Sequence, residues 1–250
     1  MLRERRHAEI ARFLTREGAV SVAVLAERLD ASQATIRRDL TMLERDGVLT
    51  RVHGGATGKP GTEARVDHAP PEEPVDQDTV AKIAAELVGD GEALLLDAGA
   101  AIHRFATHLH GKAITVLTSN LAVYDEFTGD RAVELVLLGG VVCRDDRSTA
   151  GFLAQEALRQ LRADRLFLSA SGVRADGSIM DDTMVDVPLK RAMLAAADQV
   201  VLLADATRFP GAGLARVCGP DEVDVLVTSE GACPRTLGVL REAGVEVVTT

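Results

Sequence analysis

Ser32, Gln33, Ala34 and Thr35 are followed by the adjacent pair Arg37-Arg38 and then by Thr41. On a single helix this series has the chemistry to read a duplex. The first turn of a helix leaves backbone N–H groups that can hold a phosphate, and Ser32 can cap them. Glutamine pairs with the edge of adenine and arginine with that of guanine. Counted at 100° per residue, Ile36, Leu40 and Leu43 stay within about 60° of one another and form a buried stripe. Ala34, Arg37, Arg38 and Thr41 project away from it, with Gln33 and Thr35 in the exposed first turn. Arg51, His53 and Gly54 follow at the distance of a wing that would touch backbone or minor groove. An arginine pair is also a common solvated helix face, and such a helix can serve protein contact, so this series alone leaves both readings open.

A second set of residues punctuates the rest of the chain. Asp97-Ala98-Gly99, Thr118-Ser119-Asn120, Gly139-Gly140, Ser169-Ala170-Ser171-Gly172 and Asp205-Ala206-Thr207-Arg208-Phe209 each follow an apolar run. In open parallel sheets ligands bind beyond the carboxyl ends of the strands. Glycine and hydroxyl residues there let backbone amides approach a phosphate or sugar, and Arg208 can supply positive charge. The effector-binding candidates are therefore Asp97, Gly99, Thr118, Ser119, Asn120, Gly139, Gly140, Ser171, Gly172, Asp205 and Arg208. Strand-to-helix turns also need such residues merely for capping. Catalysis would require a carboxylate base and an acid. Asp97, Asp205 and Asp181-Asp182 are the available carboxylates, no histidine lies in the clusters, and Asp181-Asp182 is expected in a solvated loop. Cys143, Cys218 and Cys233 are widely spaced, which argues against a disulfide framework or a zinc site. No catalytic residue, metal or cofactor is expected.

The elements that must position these residues fall into two groups. Apolar periodicity predicts a helix over 3–16, a second over 22–29 capped by Ser21, and a third over about 32–45 ended by Gly47. A short strand over 48–53 meets Gly54-Gly55. These are the parts of a small winged helix-turn-helix over 1–57. Residues 58–78, rich in Pro, Gly and acids, read as a linker. Over 79–250, strand-like runs (93–96, 114–117, 133–138, 166–168, 200–204, 223–227, 245–248) alternate with helical stretches (80–88, 153–161, 187–197, 235–243). That order implies a larger α/β domain with a mainly parallel sheet covered on both faces.

Charge divides the chain at the same place. The net charge is −10, yet residues 1–57 hold ten arginines, no lysine and eight acids, a net of +2. The remainder carries −12. The potential that a duplex meets is local, so a basic module on an acidic body can still bind DNA. The N-terminus has no apolar run and no stretch approaches 18 apolar residues, so neither a signal peptide nor a membrane span is expected, and the thiols suit the cytoplasm.

The stretch Ala34-Thr35-Ile36-Arg37-Arg38-Asp39-Leu40, with Leu43-Glu44, Gly47 and Arg51-Val52-His53-Gly54-Gly55-Ala56, resembles the DeoR family of bacterial transcription regulators. The resemblance covers nearly all of residues 5–57. It implies a winged helix whose helix over 32–45 enters the major groove, most often in a repressor of a carbohydrate-use operon. From about Lys82 to Ser229 the chain is similar, more loosely, to the sensor of that family, through Asp97, Gly99, Thr118, Asn120, Gly139-Gly140, Gly151, Gly172, Gly177, Asp205 and Phe209. This implies a fold like ribose-5-phosphate isomerase and a phosphorylated sugar as effector. Ala100-Ala101 stand where the family usually has Thr-Thr, and Arg208 where it usually has Lys. The expected partners are a double-stranded DNA operator, a small-molecule effector and further copies of the chain, a dimer at least. A working sugar-phosphate isomerase or deaminase with an accessory DNA-binding module is the competing expectation, and a protein-interaction scaffold a third.

Overall fold

In the computed structural model the described residues are 6–7, 10, 19–29, 31–45, 49–52, 55–58, 75–144 and 146–250. The chain divides into two compact units, Met1–Glu72 and Glu73–Thr250.

In the first unit, strand β1 (Ala19–Ser21) leads into helix α1 (Val22–Arg28). Helix α2 (Gln33–Arg45) follows, then the hairpin strands β2 (Leu49–Val52) and β3 (Gly55–Gly58). The three strands form an antiparallel sheet ordered β1-β3-β2. Both helix starts are capped as their sequences predict: Ser21 Oγ accepts the Val24 N–H at 3.3 Å and Ser32 Oγ that of Thr35 at 3.1 Å. Ile10, Val22, Leu25, Leu29, Ile36, Leu40, Leu43, Leu49 and Ala56 close the core. The apolar stripe of α2 is thus spent inside the unit. Gly47, His53 and Gly54 lie outside the described residues.

The second unit opens with helix α3 (Val75–Glu86), which begins inside the stretch read as linker. Strand β4 (Ala93–Leu96), helix α4 (Ala100–Thr107), β5 (Thr115–Thr118), α5 (Leu121–Phe127) and β6 (Glu134–Leu137) follow in turn. A hairpin of β7 (Val141–Cys143) and β8 (Ser148–Ala150) precedes α6 (Phe152–Leu158) and β9 (Ala163–Ser169). Short strands β10 (Gly172–Val173) and β11 (Ile179–Asp181) lead to α7 (Val187–Ala195) and β12 (Ala197–Leu203). The chain ends with β13 (Ala215–Cys218), β14 (Val225–Thr228), α8 (Pro234–Glu242) and β15 (Glu246–Thr249).

Seven strands form one sheet ordered β15-β14-β12-β9-β4-β5-β6, and every pairing in it is parallel. All seven carboxyl ends therefore share one edge. The pleat sends alternate side chains to two cores. Leu94, Leu96, Val116, Phe167 and Val201 pack with Val80, Ile102, Phe105 and Val123 on one face, where the Phe105 and Phe167 rings stack at 4.1 Å. Leu95, Leu117, Leu166, Leu168 and Leu202 pack with Leu158, Leu189, Met193 and Leu240 on the other. The two small antiparallel groups, β7-β8 and β10-β11-β13, were not anticipated. Their strands span only two to four residues, too short to stand out as strand-like runs in the sequence.

Candidate functional site

On α2 the buried stripe forces the other residues outward. Ser32, Gln33, Ala34, Arg37 and Arg38 are exposed, while Thr35 and Thr41 are half-buried. Arg37 Nη2 reaches Gln33 Oε1 one turn back at 3.4 Å, and Thr41 Oγ1 donates to Arg37 O at 2.8 Å. Ser32 Oγ and Thr35 Oγ1 lie 2.9 Å apart at the N-terminus. The surface thus offers two guanidiniums, an amide and three hydroxyls from about three turns. Arg51 is in β2, its side chain outside the described residues, as are His53 and Gly54.

The neighbouring Asp39 has the opposite fate. It is buried and accepts Arg6 Nε at 2.6 Å, Arg6 Nη2 at 3.2 Å and His7 Nε2 at 3.0 Å. Burial by itself raises a carboxyl pKa, but Arg6 and His7 outweigh it and hold Asp39 below its ordinary value. In Arg37-Arg38-Asp39 the first two residues face outward and the third ties the helix to the start of the chain.

At the carboxyl edge of the large sheet the central feature is Lys190, on the inward face of α7. Its ammonium is buried and lies 2.6 Å from Asp97 Oδ2, 3.1 Å from Asp181 Oδ2 and 3.0 Å from the carbonyl of Ser169. Burial lowers a lysine pKa, yet the two carboxylates reverse this and raise it, so the group is charged. Asp97 Oδ2 also accepts the Ser169 N–H at 3.0 Å and Ser169 Oγ at 2.8 Å. Asp181 Oδ1 accepts Thr183 N at 2.9 Å and Oγ1 at 3.2 Å, and that hydroxyl contacts Asp186 Oδ2 at 2.5 Å. Burial, with Asp181 and Asp146 nearby, pushes the Asp186 carboxyl up.

This corrects the expectation for Asp181-Asp182. Asp182 is exposed, but Asp181 is buried at the end of β11, because Lys190 gives it a partner that makes burial tolerable. Arg208, expected to bring positive charge, is half-exposed and donates to Ser171 O at 3.1 Å. The buried cation is Lys190, which sequence reasoning missed. Its signal was available: Val187, Lys190 and Met193 form the buried i, i+3, i+6 row of α7, with a lysine in an apolar position.

The other candidates divide by what they touch. Thr118 Oγ1 donates to Leu96 O at 2.9 Å and accepts Asn120 N at 3.0 Å. Asn120 caps α5 through Ala122 N at 2.9 Å and donates to Gly99 O at 3.3 Å. Ser119 Oγ is buried with no partner. Gly99 has φ +116°, which a side chain tolerates poorly, and opens α4 directly above Asp97. Gly140 and Gly172 serve close packing: a Cβ would stand 2.4 Å from Ala150 O at the first and 2.2 Å from Ala212 O at the second. Gly139 has open space. Ser171 Oγ accepts Asp182 N at 3.1 Å. Asp205 caps a single turn through Thr207 N and accepts Gln77 Nε2 at 3.0 Å. Asp97 thus pairs with Lys190, Gly99 stands beside Ser169 and Ser119 follows the neighbouring strand in register with Asp97, while Gly140, Gly172, Asp205 and Arg208 are occupied by local contacts. Among the described residues no group of three or more His, Cys, Asp or Glu could hold a metal ion, and no helix is long and apolar enough to cross a membrane.

Comparison with known proteins gives the same division. Residues 6–59 match the DeoR-like helix-turn-helix domain and residues 73–230 the DeoR C terminal sensor domain. The HTH-type transcriptional regulator YgbI of Escherichia coli (strain K12) is 34% identical over 92% of this chain and 91% of its own. The glycerol-3-phosphate regulon repressor of Haemophilus influenzae is 28% identical over 90% and 89%. Among solved structures, ribose 5-phosphate isomerase A of Methanocaldococcus jannaschii matches with 17% identity and a TM-score of 0.39, over 53% of this chain and 52% of that one. The family is one of transcription regulators, so the reading as an isomerase or deaminase gives way. With an outward-facing Arg37-Arg38 helix in one unit and a polar strand edge in the other, and with both family models matched in order, this chain belongs to the DeoR family of transcription regulators.

Proposed function

We propose that the chain is a ligand-controlled repressor of a carbohydrate-metabolism operon, acting in the cytoplasm as a symmetric dimer or larger assembly. The observation that carries the DNA half is the partition of α2, whose apolar stripe is buried while Gln33, Ala34, Arg37 and Arg38 are exposed. That face enters the major groove, with Ser32 and Thr35 near a phosphate at the helix start and Thr41 one turn further on. Arg51, His53 and Gly54 would complete the contact from the wing. A single small module makes too few contacts for tight specific binding, so two half-sites and a dimer follow.

The crevice around Asp97, Gly99, Thr118, Ser119 and Asn120 receives the effector, a phosphorylated sugar or polyol, as the regulon of the Haemophilus relative suggests. Gly139, Gly140, Ser171, Gly172, Asp205 and Arg208 border it along the same strand edge. The effector releases the operator by binding more tightly to the state whose winged helices no longer match the half-sites.

A band-shift with the DNA upstream of the protein's own gene tests this. A specific complex at moderate salt is expected, lost on adding the effector. Arg37→Ala and Arg38→Ala should each cost about 1–3 kcal/mol if the side chain reads a base. Absence of any specific complex with that DNA refutes the reading.

A further inference from the structure

Lys190 is the residue that an anionic effector would be expected to seek, but its donors are spent. An ammonium has three N–H groups. Lys190 Nζ donates to Asp97 Oδ2 at 2.6 Å, Ser169 O at 3.0 Å and Ser169 Oγ at 3.4 Å, which uses all three, and it pairs with the Asp181 carboxylate at 3.1 Å. Its charge is also outnumbered, since Asp97 and Asp181 both face it and Asp186 stands behind Asp181 through Thr183. An anion brought here would meet carboxylates before it met the lysine. Lys190 fixes the ends of β4, β9 and β11 around one point, and leaves that point without net positive charge.

What remains unspent is of a different kind. The Lys190 and Ser169 contacts of Asp97 all fall on Oδ2, and among the described residues no hydrogen bond reaches Oδ1. Ser119 is 1% exposed and its Oγ has no partner. A buried hydroxyl without a partner costs about 1–3 kcal/mol, so it calls for a reason. The two groups belong together by register. Leu95 and Leu117 are Cα partners on the sheet face packed against α7, and Asp97 and Ser119 each lie two residues further along. Gly99 bends the chain away above them, and a Cβ there would lie 3.4 Å from Ser169 Oγ.

We propose that Asp97 Oδ1 and Ser119 Oγ form a hydroxyl-reading floor of the effector crevice, with Lys190 a positioning residue that holds Asp97 and does not bind the effector's anionic group. The inference rests on the effector-sensing role proposed above and adds the chemistry of the buried end of the ligand. A carboxylate oxygen only accepts, and a serine hydroxyl both donates and accepts. Together they suit the hydroxyls of a polyol chain and repel a phosphate. A phosphorylated polyol therefore enters hydroxyl end first, its phosphate toward the open side of the crevice.

Titration calorimetry on the full chain tests this with glycerol 3-phosphate, ribose 5-phosphate, the free polyols and inorganic phosphate as probes. Ser119→Ala and Asp97→Asn are expected to weaken binding of the phosphorylated polyol by about tenfold each, the worth of one hydrogen bond in a closed site. Inorganic phosphate should bind wild type and both variants alike. Ser119→Ala should not lower the melting temperature of the unliganded chain, since the hydroxyl it removes has no partner. A merely structural serine would lower stability and leave affinity alone. If both variants bind the phosphorylated probes as wild type does and still release operator, the floor is wrong and the repressor reading stands. If none of the probes binds the wild-type chain while operator binding persists, the phosphorylated-polyol reading fails, and this inference with it.

Discussion

Replacing Lys190 by methionine keeps the length of the side chain and removes its charge. Two buried carboxylates, Asp97 and Asp181, would then face each other without the ammonium that lies 2.6 and 3.1 Å from them. Removing one member of a buried ion pair costs about 3–5 kcal/mol, because the partner is left uncompensated. Proton uptake by a stranded carboxyl places the loss toward the lower end. At about 2–4 °C per kcal/mol for a chain of this length, the sensor transition should fall by roughly 10 °C. The pH dependence gives a sharper test. In the wild type, burial tends to raise the Asp181 pKa, but Lys190 and the Thr183 N–H outweigh it and lower it. Stability from that lowered pKa is present above the unfolded value, near pH 4, and is lost as pH falls through the folded one. In Lys190→Met the same carboxyl is raised, so the variant gains relative stability on acidification. The gap in melting temperature, read by calorimetry on the full chain from pH 7 to pH 4.5, should be widest at neutral pH and should narrow in acid. A variant that melts with the wild type, or a gap that widens in acid, refutes the account of Lys190 as the counter-charge of two buried aspartates.

Three further outcomes follow from the geometry. Asp39→Ala should destabilise the first unit by about 2–3 kcal/mol, by removing the buried carboxylate that Arg6 and His7 share, and weaken operator binding through folding; Arg37→Ala should leave that unit's melting curve within about 0.5 kcal/mol of wild type. Circular dichroism beside a band-shift separates the two effects, and equal melting curves for the two variants would contradict the partition of α2. Gly172→Ala puts a Cβ 2.2 Å from Ala212 O, backbone that cannot step aside, so a loss of more than about 2 kcal/mol in thermal denaturation is expected. Burial pushes the Cys218 thiol up to about 12, whereas N–H groups from Thr236 and Arg235 hold Cys233 below its ordinary value. Alkylation followed by peptide mass mapping at pH 7.5 should therefore label Cys233 well before Cys218, and the reverse order would contradict these environments.

Much of the architecture is written in local pattern. The stripe Ile36, Leu40, Leu43 has one solution as a helix, and that solution also dictates which way Arg37 and Arg38 face. Ser21 and Ser32 cap their helices because a hydroxyl at that position meets N–H groups that have no other partner. The seven apolar runs became seven parallel strands because apolar runs joined by helices bury best side by side in one sheet, with the less buried β6 and β15 at its edges. That the polar clusters lie along one edge follows from the same alternation, and was legible without coordinates.

Which of those polar residues face a ligand was decided by the tertiary structure. Asp97, Ser169, Asp181 and Lys190 are separated by up to 93 positions and meet only when β4, β9, β11 and α7 converge. Asp181 read as a surface acid because Asp182 and Thr183 follow it, and only a lysine from a helix makes its burial tolerable. Arg208 read as the useful cation because it sits in the right cluster, yet a carbonyl from another loop takes its guanidinium. Local periodicity determines which way a side chain leaves its own element. The partner it finds there is a long-range quantity, set by how elements distant in sequence pack, and charge inside a protein has meaning only in terms of that partner.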